Sequence, residues 1–490
     1  MNKLKYILSF VLAGIIGACS TVDFGDINNN TNGPISSSYT TGLLAGAIMN
    51  YATQTGRDGL MKPTLYVQYQ SQVTYTDEML YSETPSSWFS YYVVALSNLQ
   101  EVIDYCNVPE NQTSALINQG SVNNQIGVSM IMKAIIMKRV TDTWGDVPYS
   151  QALKGLDNLS PAYDKQLDIY QTLITELKNG RDLLNAGENA PAGDIIYDGN
   201  VNMWKKLANS VILQMSLTLS NKFPGTTEYA ATEFNAALNH GSGVIETLNE
   251  EAWFKYEDKP GFRNPWNANR TRDYFLSKEF TDALNGNAGL NPTSNTAYDA
   301  RLEVYADNPA NDGVPYGFAG GSGAGAASVS NDNYWNNTTP LPLMTASYTF
   351  LNRAEAADLG WTTENVTLML EDGITMSYRT LENLSGLNFN ENAYVASRVS
   401  DAIALSFAQV IGEEKWVSLF GQGFDAWTEW RRTGFPVLTP ATDFFNDGNI
   451  PTRYLYPLEE GNLNGTNRDA GITQLTPQTD KNTSKVWWDN

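Results

Sequence analysis

Carboxylates are the reactive groups this chain has in quantity. Its 490 residues carry 53 Asp and Glu against 31 Lys and Arg, with one histidine and two cysteines. A close carboxylate pair in a cleft is the machinery of glycoside hydrolysis. Spacing along the chain does not bring any two of so many acids together, and their ordinary place is a solvated face. The single histidine, His240, rules out a His-rich metal site and argues against a Ser-His-Asp triad. There is no Gly-Lys dipeptide and hence no P-loop. HExxH and GxSxG are also missing from the sequence. Gly421-Gln-Gly423-Phe-Asp-Ala426 has the letters of a dinucleotide fingerprint, but it lies within a helical pattern and follows no strand. Asp307 to Gly313 and Asp443 to Asn449 are oxygen-rich turns able to hold a structural calcium, without EF-hand spacing. No other cofactor is expected.

Non-covalent chemistry is better provided for. A sugar ring offers C–H groups to an aromatic face and hydroxyls to planar amides; a peptide wants amides and apolar clefts. Aromatic residues make up 11% of the chain and asparagine one residue in ten, which suits either ligand. Rings and amides gather on three stretches outside the helical patterns. Tyr75 and Tyr81 precede the pattern that starts at Trp88. Arg263, Asn264 and Trp266, with Asn267, form a second cluster. Tyr316, Phe318, Asn333, Tyr334 and Trp335 bracket a glycine-rich loop. These are the candidate ligand-binding residues. The competing reading is that the rings pin long loops to a scaffold.

The elements that must position these loops are helices. Trp88, Tyr92, Ala95, Leu96, Leu99, Val102, Ile103 and Cys106 recur every three or four residues, the period of a helix with one buried face. The same period predicts helices over Val128–Thr141, Tyr163–Leu184, Met203–Leu219, Phe280–Leu284, Ala346–Leu359, Val366–Glu382, Tyr394–Ile411 and Glu413–Trp430. Helix pairs joined by turns point to an all-α, mainly helical fold with stacked helical hairpins, although no strict repeat is present. Trp253–Asn269, Asp312–Pro342 and the chain beyond Phe435 are too long to be simple connectors.

The N-terminus indicates location. Lys3 and Lys5 precede an apolar run from Tyr6 to Ile16, which is too short to span a bilayer. Ile16-Gly17-Ala18-Cys19 then reads as a lipobox: an aliphatic residue, two small residues, and the cysteine that takes the lipid. Residues 1–18 are expected to be a signal peptide, 19–38 a lipid-anchored tether, and 39–490 a single domain. With Cys19 acylated, Cys106 has no disulfide partner and lies on an apolar stripe as inert core. A formal charge of −22 repels nucleic acid and anionic membrane surfaces alike, so the expected membrane link is the lipid anchor alone.

Several motifs, in order along the chain, resemble the SusD/RagB family of nutrient-binding outer-membrane lipoproteins, in particular its shorter SusD-like branch. Thr141-Asp-Thr-Trp144-Gly-Asp-Val-Pro148-Tyr-Ser150 is similar to the family's helix-to-loop signature. Asp425-Ala-Trp427-Thr-Glu-Trp430-Arg-Arg432-Thr-Gly434-Phe-Pro436 is similar to its second hallmark. Pro161-Ala-Tyr-Asp164, the Trp204–Ser210 stretch, Ala354-Glu-Ala356, Pro451-Thr-Arg-Tyr454 and Trp487-Trp-Asp489 lie between and after them. The tryptophans and arginines of both hallmarks read as fold-holding residues, so Trp144 and Trp427 are not candidate ligand residues. The resemblance implies a tetratricopeptide-like helix-pair scaffold under a loop-rich, irregular ligand-binding half. It implies no catalysis, a place on the outer membrane facing the cell exterior, and a SusC/RagA-like TonB-dependent transporter as partner. The implied ligand is an oligosaccharide, or alternatively a peptide. A surface glycan hydrolase is the reading from a different class. Cys19→Ser is expected to abolish acylation, which incorporation of labelled palmitate checks: label retained on the variant overturns the lipobox assignment.

Overall fold

The structure, a computed structural model, describes residues 39–54, 60–268 and 271–490. The signal segment, the tether, Cys19 and the side chain of Asn267 lie outside the described residues.

Among the described residues, eleven helices of ten residues or more build the scaffold: α1 Tyr39–Gln54, α2 Ser97–Asn107, α3 Val122–Trp144, α4 Gln166–Leu183, α5 Val201–Thr218, α6 Tyr229–Leu238, α7 Ala346–Asp358, α8 Val366–Ser385, α9 Asn392–Ala404, α10 Phe407–Ser418 and α11 Gly423–Thr433. They pack as pairs, α1 on α2, α3 on α4, α5 on α6 and α7 on α8. The pairs stack through α2–α3, α4–α5 and α5–α7 contacts. This is the expected mainly helical, helix-pair architecture. Glycine lets α3 and α4 approach closely: a Cβ on Gly127 would sit 2.7 Å from the Gly180 carbonyl, and one on Gly180 2.9 Å from that of Gly127.

The periodic stretches form helices, with corrections at their ends. The Trp88 stretch enters through a π-turn at Tyr91–Leu96 before α2 begins. Tyr163 is a strand residue, and α4 starts at Gln166, whose N–H donates to Asp146. The two helices expected over Tyr394–Ile411 and Glu413–Trp430 are three. Ser406 breaks the first, because its hydroxyl accepts from the Gln409 N–H and caps α10. A turn at 419–422 breaks the second, with Gly421 at φ +87°. The helices α1 and α6 lie outside every stretch the periodicity singled out.

Six short strands among the described residues, paired antiparallel, staple the loops down: β1 Gln70–Gln72 with β5 Tyr274–Leu276, β2 Val147–Pro148 with β3 Tyr163–Asp164, and β4 Ala252–Phe254 with β6 Leu341–Met344. The largest apolar cluster runs from Leu44 to Trp488. Cys106 is buried beside Val102, Leu116 and Ile126, and burial pushes its thiol up to about 11, which suppresses the nucleophilic thiolate.

Both hallmark motifs hold the C-terminal segment to the scaffold. Trp144 Nε1 donates to the Leu455 carbonyl at 2.9 Å, and Trp427 Nε1 to that of Pro451 at 2.8 Å. Arg431 lies over the Trp427 ring at 3.9 Å and the Trp488 ring at 4.6 Å. Its guanidinium donates to the Asp142 and Thr452 carbonyls at 2.7 and 2.8 Å. Arg432 turns the other way, into a buried cluster with Lys415, Glu355 and Glu429. Tyr348 adds a hydroxyl donor to Glu429 at 2.7 Å. Burial opposes ionisation of Glu429, but Arg432 and Lys415 outweigh it and hold the carboxyl at about 2.

That stabilising contribution is complete above the ordinary value near 4.5 and is lost as pH falls through about 2. Glu429→Gln leaves two buried cations short of charge and is expected to cost about 3–5 kcal/mol. Urea unfolding at neutral pH measures the loss. Repeating it in acid is expected to show the gap from the parent closing.

Candidate functional site

The glycine-rich loop is laid flat on the β1–β5 pair. Val314 extends that pair: its N–H donates to Leu276, and its carbonyl accepts from the Lys278 N–H and the Ser71 hydroxyl, each at 2.9 Å. Gly313 lies so close to the Ser277 backbone that no Cβ fits there. Gly317, at φ +83°, would place a Cβ 2.5 Å from the Ala441 Cα. These glycines therefore serve close backbone approach, and the loop is pinned where it crosses the scaffold.

Beyond Val314 the loop forms one wall of a cleft of about 620 Å³. Residues 289–292 and 437–442 form the other walls, tied together by the Val437 N–H donating to the Pro292 carbonyl at 3.2 Å. Gln68 reaches in from below and donates to the Thr439 carbonyl at 2.5 Å. Apolar side chains stand open at the rim: Phe318 is 45% exposed, Leu290 44% and Val437 67%. Ser322, Thr439 and Thr442 supply hydroxyl groups, while the Asn291 amide is held in its own loop, donating to the Asn295 carbonyl at 2.8 Å and accepting from the Thr293 N–H and hydroxyl at 2.8 and 2.7 Å. Gln68, Tyr75 and Tyr81 all hold positive φ without being glycine, so the segment beneath the cleft is strained.

Glu279, in the first turn of the short helix Lys278–Asn285, is the one charged residue lining the cleft among those described. Burial pushes its carboxyl up to about 7; its own backbone N–H, the Tyr316 N–H and Lys278 pull the other way, and Asp282 adds to the rise. Lys278 is itself engaged by Asp282 at 3.0 Å and Asp312 at 3.2 Å.

The ten candidate residues have different fates. Tyr316 and Phe318 line the cleft. The Tyr316 ring is buried, with its hydroxyl on the Met79 carbonyl at 3.1 Å and its N–H on Glu279 at 3.1 and 3.3 Å. Tyr81 is buried beneath the rim, its hydroxyl accepting from the Ala441 N–H. Tyr75 is exposed but outside the lining. Asn264, Trp266, Tyr334 and Trp335 are buried, which corrects the expectation that they stand open on loops. Asn264 donates to the Thr339 carbonyl and caps the Trp266 N–H. Tyr334 packs on Phe420 at 5.0 Å and Tyr305 at 5.8 Å. Asn333 donates to the Val304 carbonyl, and exposed Arg263 pairs with Asp258. The physical reason is area: a ring of roughly 150–250 Å² gains most by burial, and burying it is what fixes a long loop. Sequence reasoning missed Gln68, Glu279, Leu290, Asn291, Val437, Thr439 and Thr442; only the proline-punctuated Asn291-Pro292 and Thr439-Pro440 hinted at structured loops there.

A second groove, of about 830 Å³, runs along the π-turn and residues 148–161 and 457–463. Its walls are the more apolar of the two, but it too holds rings (Trp88, Phe89, Tyr92), serine hydroxyls, the Asn158 amide and the carboxyls of Glu459 and Glu460, together with Lys154. The first cleft differs in that its described lining holds a lone carboxyl and no cation. Among the described residues no group of three or more His, Cys, Asp or Glu is gathered to hold a metal ion. Asp307 accepts from the Asn331 N–H at 2.9 Å, and Asp447 from the Thr483 hydroxyl at 2.8 Å.

Helix pairs roofed by loops that enclose such a cleft define a ligand-binding protein. The chain belongs to the SusD-like family described as "Starch-binding associating with outer membrane", whose profile matches residues 32–457. Solved structures share the fold over nearly the whole chain. A chitin-binding protein is 25% identical, with a TM-score of 0.76, covering 92% of this chain and 100% of that one. A SusD homologue from Bacteroides fragilis is 22% identical, with a TM-score of 0.76, covering 93% and 99%. A chitin-binding SusD homologue from Flavobacterium johnsoniae is 18% identical, with a TM-score of 0.69, covering 93% and 98%. No curated protein matches the chain. The family is one of outer-membrane-associated binding proteins, not enzymes, and this chain is one of them. No described helix is long and apolar enough to cross a membrane.

Because the folded state holds the Glu279 proton up to about 7, its stabilising share is complete below the ordinary value of 4.5 and is lost as pH rises through about 7. Melting temperatures of the parent are expected to fall across that window relative to Glu279→Gln. Parallel curves would mean that Glu279 titrates normally.

Proposed function

We propose that the protein is a non-catalytic surface lipoprotein that captures an oligosaccharide in the 620 Å³ cleft and delivers it to a SusC-like TonB-dependent transporter. The observation that carries this reading is the open Phe318 ring in one cleft with the hydroxyl groups of Ser322, Thr439 and Thr442. That arrangement matches the apolar face and hydroxyl edge of a sugar. Two of the similar structures are described as chitin-binding, and the family as starch-binding, which supports a glycan. Acyl chains on Cys19 anchor the protein to the outer membrane, facing the cell exterior. The lipobox residues support that anchor, as does the lack of any membrane-crossing helix among the described residues.

Phe318→Ala is expected to weaken binding of chitin or starch oligosaccharides about two- to twelvefold, the worth of one stacked ring. Calorimetric titration reads this, with an unchanged melting temperature showing that the fold is intact. Equal affinity in parent and variant would place the ligand elsewhere. In a detergent pull-down from native outer membranes, a large TonB-dependent barrel is expected in stoichiometric amount; recovery of the lipoprotein alone would remove the delivery role.

A further inference from the structure

We propose that the cleft selects a glycan carrying free amino groups, with the Glu279 carboxylate as the seat of the sugar ammonium. This rests on the reading that the cleft binds a glycan, and it specifies which chemical class.

The donors around Glu279 leave room for a ligand. Its two oxygens take only backbone donors, its own N–H and the Tyr316 N–H at 3.1 and 3.3 Å, whereas a carboxylate accepts about four hydrogen bonds. The nearest cation, Lys278, is engaged by Asp282 and Asp312. Of the facing hydroxyls, that of Tyr316 donates to the Met79 carbonyl, and that of Tyr81 accepts from the Ala441 N–H. Val314, Pro315, Phe318, Leu290 and Pro292 wall the site with apolar surface. The carboxyl therefore sits in a low-dielectric cleft without a counter-cation of its own, and its upward shift to about 7 is the sign of that.

An ammonium on the ligand completes the pair. It brings up to three donors and a full charge to a place where water is thinned by apolar walls. An N-acetylated sugar brings only a neutral amide N–H to the same place, a weaker partner for a carboxylate. The net charge of −22 draws a cationic ligand toward the protein and does nothing for a neutral one. Hydroxyl groups at Thr439, Thr442 and Ser322 favour an amino sugar over a lysine side chain, whose aliphatic stem brings them no polar partner.

The test is calorimetric titration of the full chain in mildly acidic buffer, where the sugar amine is protonated. Glucosamine oligomers, N-acetylglucosamine oligomers of equal length, starch fragments and a lysine peptide of equal charge are compared. The glucosamine oligomer is expected to bind about tenfold more tightly than its acetylated counterpart, and Glu279→Gln to erase the preference. A second measurement needs no variant. Titration in two buffers of different ionisation enthalpy is expected to show proton release when the amino oligomer binds the parent, as Glu279 ionises against the ammonium. Equal or tighter binding of the acetylated oligomer overturns the proposal. So does a preference that survives in Glu279→Gln, or tighter binding of the lysine peptide. If starch fragments bind and glucosamine oligomers do not, this inference fails while the glycan reading stands. If no glycan binds, both fail.

Discussion

Arg431 and Arg432 impose the constraint on which the rest of the molecule depends. A guanidinium in the interior keeps its charge, so each buried arginine must be surrounded by acceptors or the fold does not close. Burial pulls Arg431 down to about 10, still charged at neutral pH. It is satisfied by the Asp142 carbonyl at the end of α3, the Thr452 carbonyl in the C-terminal segment, and the faces of Trp427 and Trp488. Arg432, one residue on, is satisfied by Glu355 of α7 and by Glu429, which Lys415 of α10 also holds. One turn of α11 thus fixes four separate parts of the chain. Arg301 and Arg398 repeat the device with Asp299, Glu413 and Glu414, joining a loop to α9 and α10, and Arg301 reaches Ser377 of α8. Such clusters contribute modest net stability but permit few alternative arrangements, because any misplaced helix strands a charge.

The scaffold held this way is what allows the loops to be long. The loops at 253–268 and 312–342 are fixed by short strand pairings and by rings driven into the interior, whereas the chain beyond Phe435 carries short helices of its own at Glu460–Leu463 and Gly465–Ile472. The Tyr334 ring packs among Phe420, Tyr305 and Trp266, and Val314 joins the β1–β5 pair. The cleft is assembled from five stretches scattered between Gln68 and Thr442. Its lining can vary without touching the charge clusters, so the helix-pair scaffold does not dictate the chemistry of the cleft.

Much of the fold was legible because helices encode burial locally. The stripe from Trp88 to Cys106 names its own inner face, and Leu99, Val102 and Cys106 are buried as that stripe requires. Ser406 and Gly421 were the errors: each divides a continuous apolar pattern, one through a cap and one through a turn, and neither feature disturbs the periodicity. The hallmark tryptophans were legible as structural, and Trp144 and Trp427 both spend their indole N–H groups on the C-terminal segment.

The site was legible only in part. Tyr316 and Phe318, two residues apart on one loop, look alike in sequence. One ring is buried, because the Met79 carbonyl lies within reach of its hydroxyl, while the other is nearly half exposed at the rim. Nothing within the loop distinguishes them, since a loop has no period to mark an inner face. Glu279 was one acid among 53 until Val314, Leu290 and Tyr316 enclosed it. The sequence by itself therefore determined most of the helices, the family and the hallmark residues that hold the fold, all of which follow from local spacing and residue type. Which side chains line the cleft was decided by tertiary structure alone, because exposure in a loop depends on contacts with segments hundreds of residues away.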